Sequence, residues 1–553
     1  MQRNRARIWL HTAGAIVLTL LLASCKTGPD YHRPSMNTPA GYKSATPNEA
    51  AQPGLGQDWW RLFNDPELST LAEEALKANQ DLKAAMARVA QSRASAQSVK
   101  SSFFPVVTLD PSATRSRTPG VTTSSDSASQ KASNIPSVIN QVSSVLGQVN
   151  TLIQGGTTSP AASGSQQATA SATGAYIPAT TSNRFQIPFD LSYEIDIWGR
   201  VSRSYESAKA QLQASVYDLE VVRQTLLADL ARNYFNLRSF DAQYEILARN
   251  LVLYQEQVDL TENQYKAGLI DEINVLQARV QLESTRAQAA DTQRQRTDLE
   301  HAIAILLGRA PAEFSLDARP LNATPPVIPA GLPSDLLRKR PDVAEAEQNL
   351  VSASAEIGVA KADFFPAVRL TGSAGLQGSD IKSVLDWSNR TWSFGPSVSL
   401  PIFKGGQLRA SLRKAKARYD ELKATFRNKV LSAFVDVEDS LTDLHRRADA
   451  AEAQSKAVAA AREYLRLIQI QYQSGVTDYL HVVNAEQTLL TNELADAQIL
   501  NQRMVSAILL IKALGGGWES RPSASPEEAE QSDTPRTTAN KGKDRESILK
   551  TRR

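Results

Sequence analysis

Cysteine is almost missing from this chain: Cys25 is the only one in 553 residues. That excludes a disulfide framework within one copy and any cluster of thiolates around a metal. Histidine is scarce as well, with five scattered residues, so most imidazole-based metal sites go too. The pattern Gly-x-x-x-x-Gly-Lys-Ser/Thr is absent, leaving no loop to cradle a nucleotide's phosphates. Gly-x-Ser-x-Gly with a partnered base is also absent. Beyond the N-terminal segment, no stretch reaches the roughly 18 uninterrupted apolar residues that a membrane helix requires. Neither sign of charge dominates: the formal net charge is +3, with no basic patch suited to nucleic acid. The chain does not read as an enzyme, and it implies no cofactor and no resident metal.

The N-terminal segment is the first positive signal. Arg3, Arg5 and Arg7 precede a mostly apolar run from Ala13 to Leu22, followed by Ala23, Ser24 and Cys25. A basic flank, a short apolar stretch and small residues make a secretory signal, too short for a stable membrane anchor. Its end looks like a bacterial lipoprotein signal, in which Cys25 becomes the lipid-modified first residue of the mature chain. An ordinary signal peptide with an unrelated cysteine is the alternative. Lys26 rather than an acidic residue follows, which favours delivery to the outer membrane. A protein placed there without apolar helices can cross only as a closed strand barrel.

The rest of the chain is written twice. Tyr265-Lys266-Ala267-Gly268 recurs as Tyr472-Gln473-Ser474-Gly475, an offset of 207 (265 to 472). The same offset carries Phe185 onto Trp392, Gly199 onto Gly406, Ala278 onto Ala485 and Leu307-Gly308 onto Leu514-Gly515. A period this long is a duplicated domain half, not a solenoid repeat. Upstream, Phe103-Phe104-Pro105 matches Phe364-Phe365-Pro366 at an offset of 261, so an insertion of 54 residues (261 minus 207) lies between Pro105 and Phe185. Residues 111–183 contain it and are dominated by Ser, Thr, Ala, Gln and Gly, the composition of a mobile loop on a hairpin tip.

Each half changes period at a fixed place. From Phe185 to Ile197 apolar residues alternate with polar ones, a strand with one greasy and one polar face. Trp392, Phe394, Val398, Leu400 and Ile402 repeat that parity, and Val107, Leu109, Val368, Leu370, Ala374 and Leu376 supply shorter partners. Such strands suit a bilayer of about 9–11 residues' span; a soluble sheet packed on a core would alternate too. After Gly199 and Gly406 the period becomes helical. Steps of four and three from Leu212 to Tyr265 meet thirteen apolar residues in sixteen, a coiled-coil seam. The helix so predicted, from Arg200 to Tyr265, would be about 100 Å long. A return helix runs from Asp271 to Leu307 and stops at Gly308. A further helix is expected from Pro66 to about Val99, and its counterpart opens at Pro341. Alanines outside the seam, such as Ala208, Ala210, Ala214, Ala287, Ala289 and Ala290, leave room for neighbouring helices on a second side. Neither half can bury its apolar faces alone, which points to an assembly of several copies.

The expected organisation is therefore a signal peptide at 1–24, an extended arm at 25–64 and a first repeat at 65–310 with its tip at 265–271. A linker follows at 311–333, then a second repeat at 334–518 with its tip at 472–478, and a disordered tail at 519–553.

Gly28-Pro29-Asp30-Tyr31, Trp59-Trp60…Phe63, Arg340-Pro341-Asp342-Val343, Ile357-Gly358-Val359-Ala360…Phe364-Phe365-Pro366, Tyr472…Gly475 and Ala513-Leu514-Gly515-Gly516-Gly517-Trp518 resemble, in joint order and spacing, the outer membrane factors. These are the TolC-like efflux ducts, and the similarity is to their lipoprotein branch of OprM and NodT type. The resemblance implies a homotrimer that is mainly α, with a twelve-stranded membrane β-barrel and a twelve-helix periplasmic α-barrel. It implies a passive outer-membrane channel of a tripartite export system. A periplasmic membrane-fusion adaptor and an inner-membrane pump, of the proton-driven RND type or the ATP-driven ABC type, would open it. Outer-membrane lipid would surround it. A lipid-anchored periplasmic coiled-coil spacer without conduction is the competing class, and it has no use for two-faced strands.

The resemblance also places Tyr265, Gly268, Tyr472 and Gly475 at periplasmic tips where the adaptor docks. Some family members carry aspartates six and nine residues past the second glycine and six past the first; here those positions hold His481, Asn484 and Asn274. Thr477 stands where an arginine can occur. An aspartate-based cation ring is therefore not implied. Asp271 and Asp478 lie three past each glycine, as helix N-caps or as a rim of carboxylates at the aperture. Tyr472 could bond Asn274 of a neighbouring arm.

Overall fold

The computed structural model describes residues 26–44, 56–123, 175–328 and 338–518. Cys25, the signal segment, most of the inserted loop and the tail lie outside the described residues. Two compact units emerge. Of the described residues, those up to Ser101, those within Ile197–Phe365 and those from Pro401 onward form one; those within Ser102–Asp196 and Pro366–Leu400 form the other.

The first unit is helical: α1 (Pro66–Ala78), α2 (Gln80–Lys100), α3 (Arg200–Lys266), α4 (Glu272–Leu306), α5 (Pro341–Ala362), α6 (Gln407–Gln473) and α7 (Tyr479–Ala513). Helices α3 and α6 are both 67 residues long. The bounds of α6 and α7 are those of α3 and α4 moved by 207 (200 to 407, 272 to 479), so the duplication reaches the last turn of each helix. None of the described helices is long and apolar enough to cross a membrane.

Two differences from expectation have local causes. The helix expected to run from Pro66 to Val99 is broken at Asn79. Its side-chain oxygen accepts from the Leu82 N–H at 2.9 Å, and its amide donates to the Leu306 carbonyl at 2.9 Å. An N-cap that also satisfies another helix's terminal carbonyl outweighs continued helix here. The region expected as loop, 111–183, is narrower: Ser112–Thr118 pairs with Thr180–Gln186, and Val121–Thr123 with Ala175–Ile177. Backbone pairing continues because Ser and Thr fit a ladder without needing a core behind them.

A large hydrophobic core fuses the two repeats. Trp59, Trp60 and Phe63 pack with Leu230, Phe235 and Leu237 of α3, Ile303 of α4, Leu350 of α5, Phe426 and Val430 of α6 and Ile508 of α7. Each fully buried side chain of this kind contributes about 1.5–3 kcal/mol. A buried ionic cluster ties the segment after α4 to it. Asp241 accepts from Arg238 at 2.9 Å and from Arg296 at 2.6 Å; Arg238 also meets Glu67 at 2.6 Å. Arg319 reaches Asp65 at 2.8 Å and the Tyr234 hydroxyl at 2.7 Å.

Several motifs that carried the family resemblance are joints of this unit. A Cβ on Gly28 would lie 2.5 Å from the Gly358 Cα, so the N-terminal arm crosses α5 where neither residue has a side chain. Arg203 locks that crossing through the Thr27 carbonyl at 3.2 Å and Asp30 at 2.7 Å. Arg340 joins Asp342 and Asp436 at 2.8 and 2.9 Å and donates to the Ala513 carbonyl at 3.2 Å.

The second unit is an antiparallel sheet. Its strands are β1 (Val106–Leu109), β2 (Ser112–Thr118), β5 (Thr180–Ile195), β6 (Ala367–Gly378) and β7 (Arg390–Ser399), with β3 (Val121–Thr123) and β4 (Ala175–Ile177) forming a separate pair. The order is β1-β5-β6-β7, with β2 continuing the β1 side along β5.

Candidate functional site: two hairpin tips and a two-faced sheet

Each tip is built by the same hydrogen bonds. At the end of α3, the Gly268 N–H donates to the Tyr265 carbonyl at 2.8 Å and the Leu269 N–H to the Gln264 carbonyl at 2.9 Å. At the end of α6, Gly475 donates to Tyr472 at 3.0 Å and Val476 to Gln471 at 2.9 Å. This double closure is a Schellman motif, which needs a left-handed residue; Gly268 and Gly475 supply it with φ of 74° and 71°. The Tyr-x-x-Gly spacing is thus the spacing of that closure. Beyond each glycine an apolar side chain stands in the open: Leu269 is 74% exposed and Val476 75%.

The two returning helices differ at their first turn. Asp478 caps α7, accepting from the His481 N–H at 3.3 Å and meeting the His481 ring nitrogen Nδ1 at 2.6 Å. That hydrogen bond holds its carboxyl below the usual value. Asp271 occupies the same place before α4 but makes no side-chain cap bond; its backbone carbonyl accepts from the Asn274 N–H at 3.1 Å. Asn274 and Thr477 are half-buried, while His481 and Asn484 are exposed. Tyr472 packs its ring on Tyr479 of its own hairpin, 5.9 Å between centroids. Within one chain no hydrogen bond joins Tyr472 to Asn274 among the described residues. Of the residues singled out, only Asp478 and His481 are joined side chain to side chain among the described residues; Tyr265 and Gly268, Tyr472 and Gly475, and Asp271 and Asn274 meet through backbone hydrogen bonds.

Behind the tips, α3, α4, α6 and α7 share a second core: Tyr254 and Val258, Ala278 and Leu282, Ile468, and Tyr479, Val482 and Ala485. Two carboxylates that sequence reasoning did not single out lie on α7 beside it. Glu493, 9% exposed, is gripped by Arg249 of α3 at 2.5 Å and Arg462 of α6 at 2.9 Å. Glu486 has no such grip, and burial raises its carboxyl to about 7. Both glutamates are visible in the sequence as a heptad pair, but their partners sit on other helices. Among the described residues no cluster suited to a metal is present.

In the sheet unit the register sorts side chains cleanly. Leu109, Phe189, Ala374 and Trp392 stand side by side, as do Val107, Leu191, Gly372 and Phe394. The alternate rows hold Asp190, Ser373 and Ser393, and Glu194, Arg369 and Ser397. One face is apolar and one polar, and within one chain neither is covered: Trp392 is 78% exposed. Strand β7 at one end and β1/β2 at the other each have a side with no strand partner among the described residues. Unpaired edges of this length invite further strands.

The profile of the family described as outer membrane efflux protein matches residues 71–139, 148–309 and 332–516. The antibiotic efflux pump outer membrane protein ArpC of Pseudomonas putida is 28% identical over 511 residues, covering 91% of this chain and 94% of that protein. The solved outer-membrane channel OprN is 30% identical with a TM-score of 0.74, over 90% of this chain and 100% of that one. The Campylobacter jejuni CmeC outer membrane channel is 25% identical with a TM-score of 0.75, over 92% of this chain and 98% of that one.

Proposed function

This chain belongs to the outer membrane efflux protein family, ducts of the outer membrane and not enzymes, and from that premise we propose that three copies close into one passive conduit. Each chain contributes four strand positions and four helices, so a trimer yields a twelve-stranded barrel and a twelve-helix tunnel. The observation that carries this reading is the sheet: one apolar face, one polar face and two edges without a strand partner among the described residues. Closure removes the edges, turns Phe189, Trp392 and Phe394 to lipid and leaves Asp190, Glu194 and Arg369 facing water.

The long hairpins carry the passage through the periplasm. Their tips narrow it, with Asp271, Asn274, Thr477, Asp478, His481 and Asn484 around the aperture. The adaptor docks at Tyr265, Gly268, Tyr472 and Gly475, where exposed Leu269 and Val476 offer apolar contact. Energy comes from an inner-membrane pump, since the chain has no means of supplying it. Cargo is chosen by that pump, and ArpC's described role in antibiotic efflux suggests small amphiphilic compounds. Lipidation of Cys25 adds a membrane anchor at about 0.8 kcal/mol per buried methylene.

Purified protein in a planar bilayer tests this directly. Step conductance from a species of three times the chain mass is the expected result. Assembled protein that passes no ions, even when its tips are mutated open, removes the conduit and leaves the spacer.

A further inference from the structure

Helix α7 carries two carboxylates seven residues apart, one heptad along the same stripe. Glu493 is fastened by cations from both neighbouring helices, Arg249 of α3 and Arg462 of α6. It holds the first repeat's arm to the second's as an ion pair. Glu486, nearer the tip, is pressed between the same arms without one. Its Oε2 is buried with no hydrogen-bond partner.

The surroundings of Glu486 are neutral on every side. From α3 it meets Gln257, which bonds it, and Tyr254, whose own hydroxyl is buried. From α4, Gln281 approaches Tyr254. From α7 itself comes Tyr479, and from α6 Tyr472, its ring tilted against that of Tyr479. Arginines elsewhere on the helices packed with α7 are committed to other carboxylates: Arg279 to Glu262, Arg466 to Glu463, and Arg249 and Arg462 to Glu493. An unpaired buried carboxylate is unstable in its ionised form.

We propose that Glu486 is a gating residue: neutral, it lets the second hairpin lie against α3; ionised, it drives that contact apart, so that opening of the tips is linked to release of a proton. The inference rests on the conduit reading for its purpose, and on the arm–arm contact for its physics. The packed arrangement binds the proton more tightly, because burial lifts the carboxyl from 4.5 to about 7. Packing is therefore fully favoured below the ordinary value, weakens as pH rises through this window, and levels off above it. A shift of this size changes the ratio of packed to separated arms by on the order of 10²-fold.

Two readouts test it on the full-length assembly, in an H481Q background so that no histidine stands at the tip. Open probability in a planar bilayer should rise between pH 5 and pH 8. Amide exchange over residues 479–490, corrected for its intrinsic pH dependence, should lose protection over the same range. E486Q, isosteric and permanently neutral, should stay closed and protected throughout. E493Q, which removes the ion pairs between the arms, should raise open probability across the whole range while keeping the slope. An E486Q protein with the wild-type slope in both readouts overturns the proposal. If no variant conducts, the conduit falls, and the exchange comparison of wild type with E486Q still decides the role of Glu486.

Discussion

Helices α3 and α6 are the same object twice, in length, in turn geometry and in the glycines that end them, yet they live in different surroundings. Helix α3 lies inside the helical unit, packed by α2, α4, α5 and α7; α6 is packed mainly by α5 and α7. Where α3 buries Ala228, the equivalent α6 position exposes Val435. Where α3 carries Arg238 and Asp241 in a buried ionic cluster, α6 has His445 and Ala448. Duplication fixed the backbone plan, and divergence then made one arm internal and left the other with an open flank. An open apolar flank on a helix of this length is what a neighbouring copy would cover.

The sharpest way to break the comparison is to remove the cluster that only α3 has. Asp241→Ala leaves buried Arg238 and half-buried Arg296 without their shared carboxylate, which should cost about 3–5 kcal/mol. Thermal unfolding should show a large drop in midpoint, while the equivalent position, already alanine at 448, shows that α6 never needed the charge. A small shift for D241A would mean that α3 is no more internal than α6.

The strands make the opposite case, since Leu191 and Val398 share a 207 offset and the same apolar face. Leu191→Arg and Val398→Arg should each cost about 2–4 kcal/mol near the membrane midplane. The readout is the fraction of protein that assembles in outer membrane. Equal losses would show that the repeats are equivalent in the sheet although not in the helices; no loss from either would remove the lipid-facing assignment.

A smaller effect is expected on the open flank of α6. Leu431→Glu and Val435→Glu alter side chains exposed in one chain, so the chain's own fold should be little affected. If a second copy buries them, each substitution weakens assembly by about 1.5–3 kcal/mol per contact, and chemical cross-linking should report fewer trimers. Unchanged cross-linking would leave that flank facing solvent.

Much of this asymmetry could not be read in advance. The period of 207 carried helix ends to within a residue, because a repeated apolar seam and a terminal glycine are local signals. The break at Asn79 escaped because apolar periodicity continues across it; only the distant Leu306 carbonyl gives that asparagine its second bond. The extent of the first hairpin escaped because its outer strand, Ser112–Thr118, has no apolar face to alternate. The glutamates of α7 were legible as spacing, but whether each is paired depends on Arg249 and Arg462, which lie 244 and 31 residues away from Glu493. Pairing across helices is a property of the fold, and sequence period says nothing about it.

The finest contrast lies between the two first-turn aspartates. Asp478 accepts hydrogen bonds from His481, and those bonds hold its carboxyl below the ordinary value of 3.8. Asp271 makes no side-chain cap bond. A group whose value is lowered in the folded state stabilises it above the ordinary carboxylate range, and that contribution disappears as pH falls through the lowered value. Asp478→Ala should therefore increase amide exchange in the first turn of α7 at neutral pH, and the difference from wild type should close in acid. Asp271→Ala should leave the first turn of α4 nearly unchanged at either pH. Equal effects at the two tips would mean that Asp271 finds its bonds in the assembly, from a copy of the chain that stands beside it.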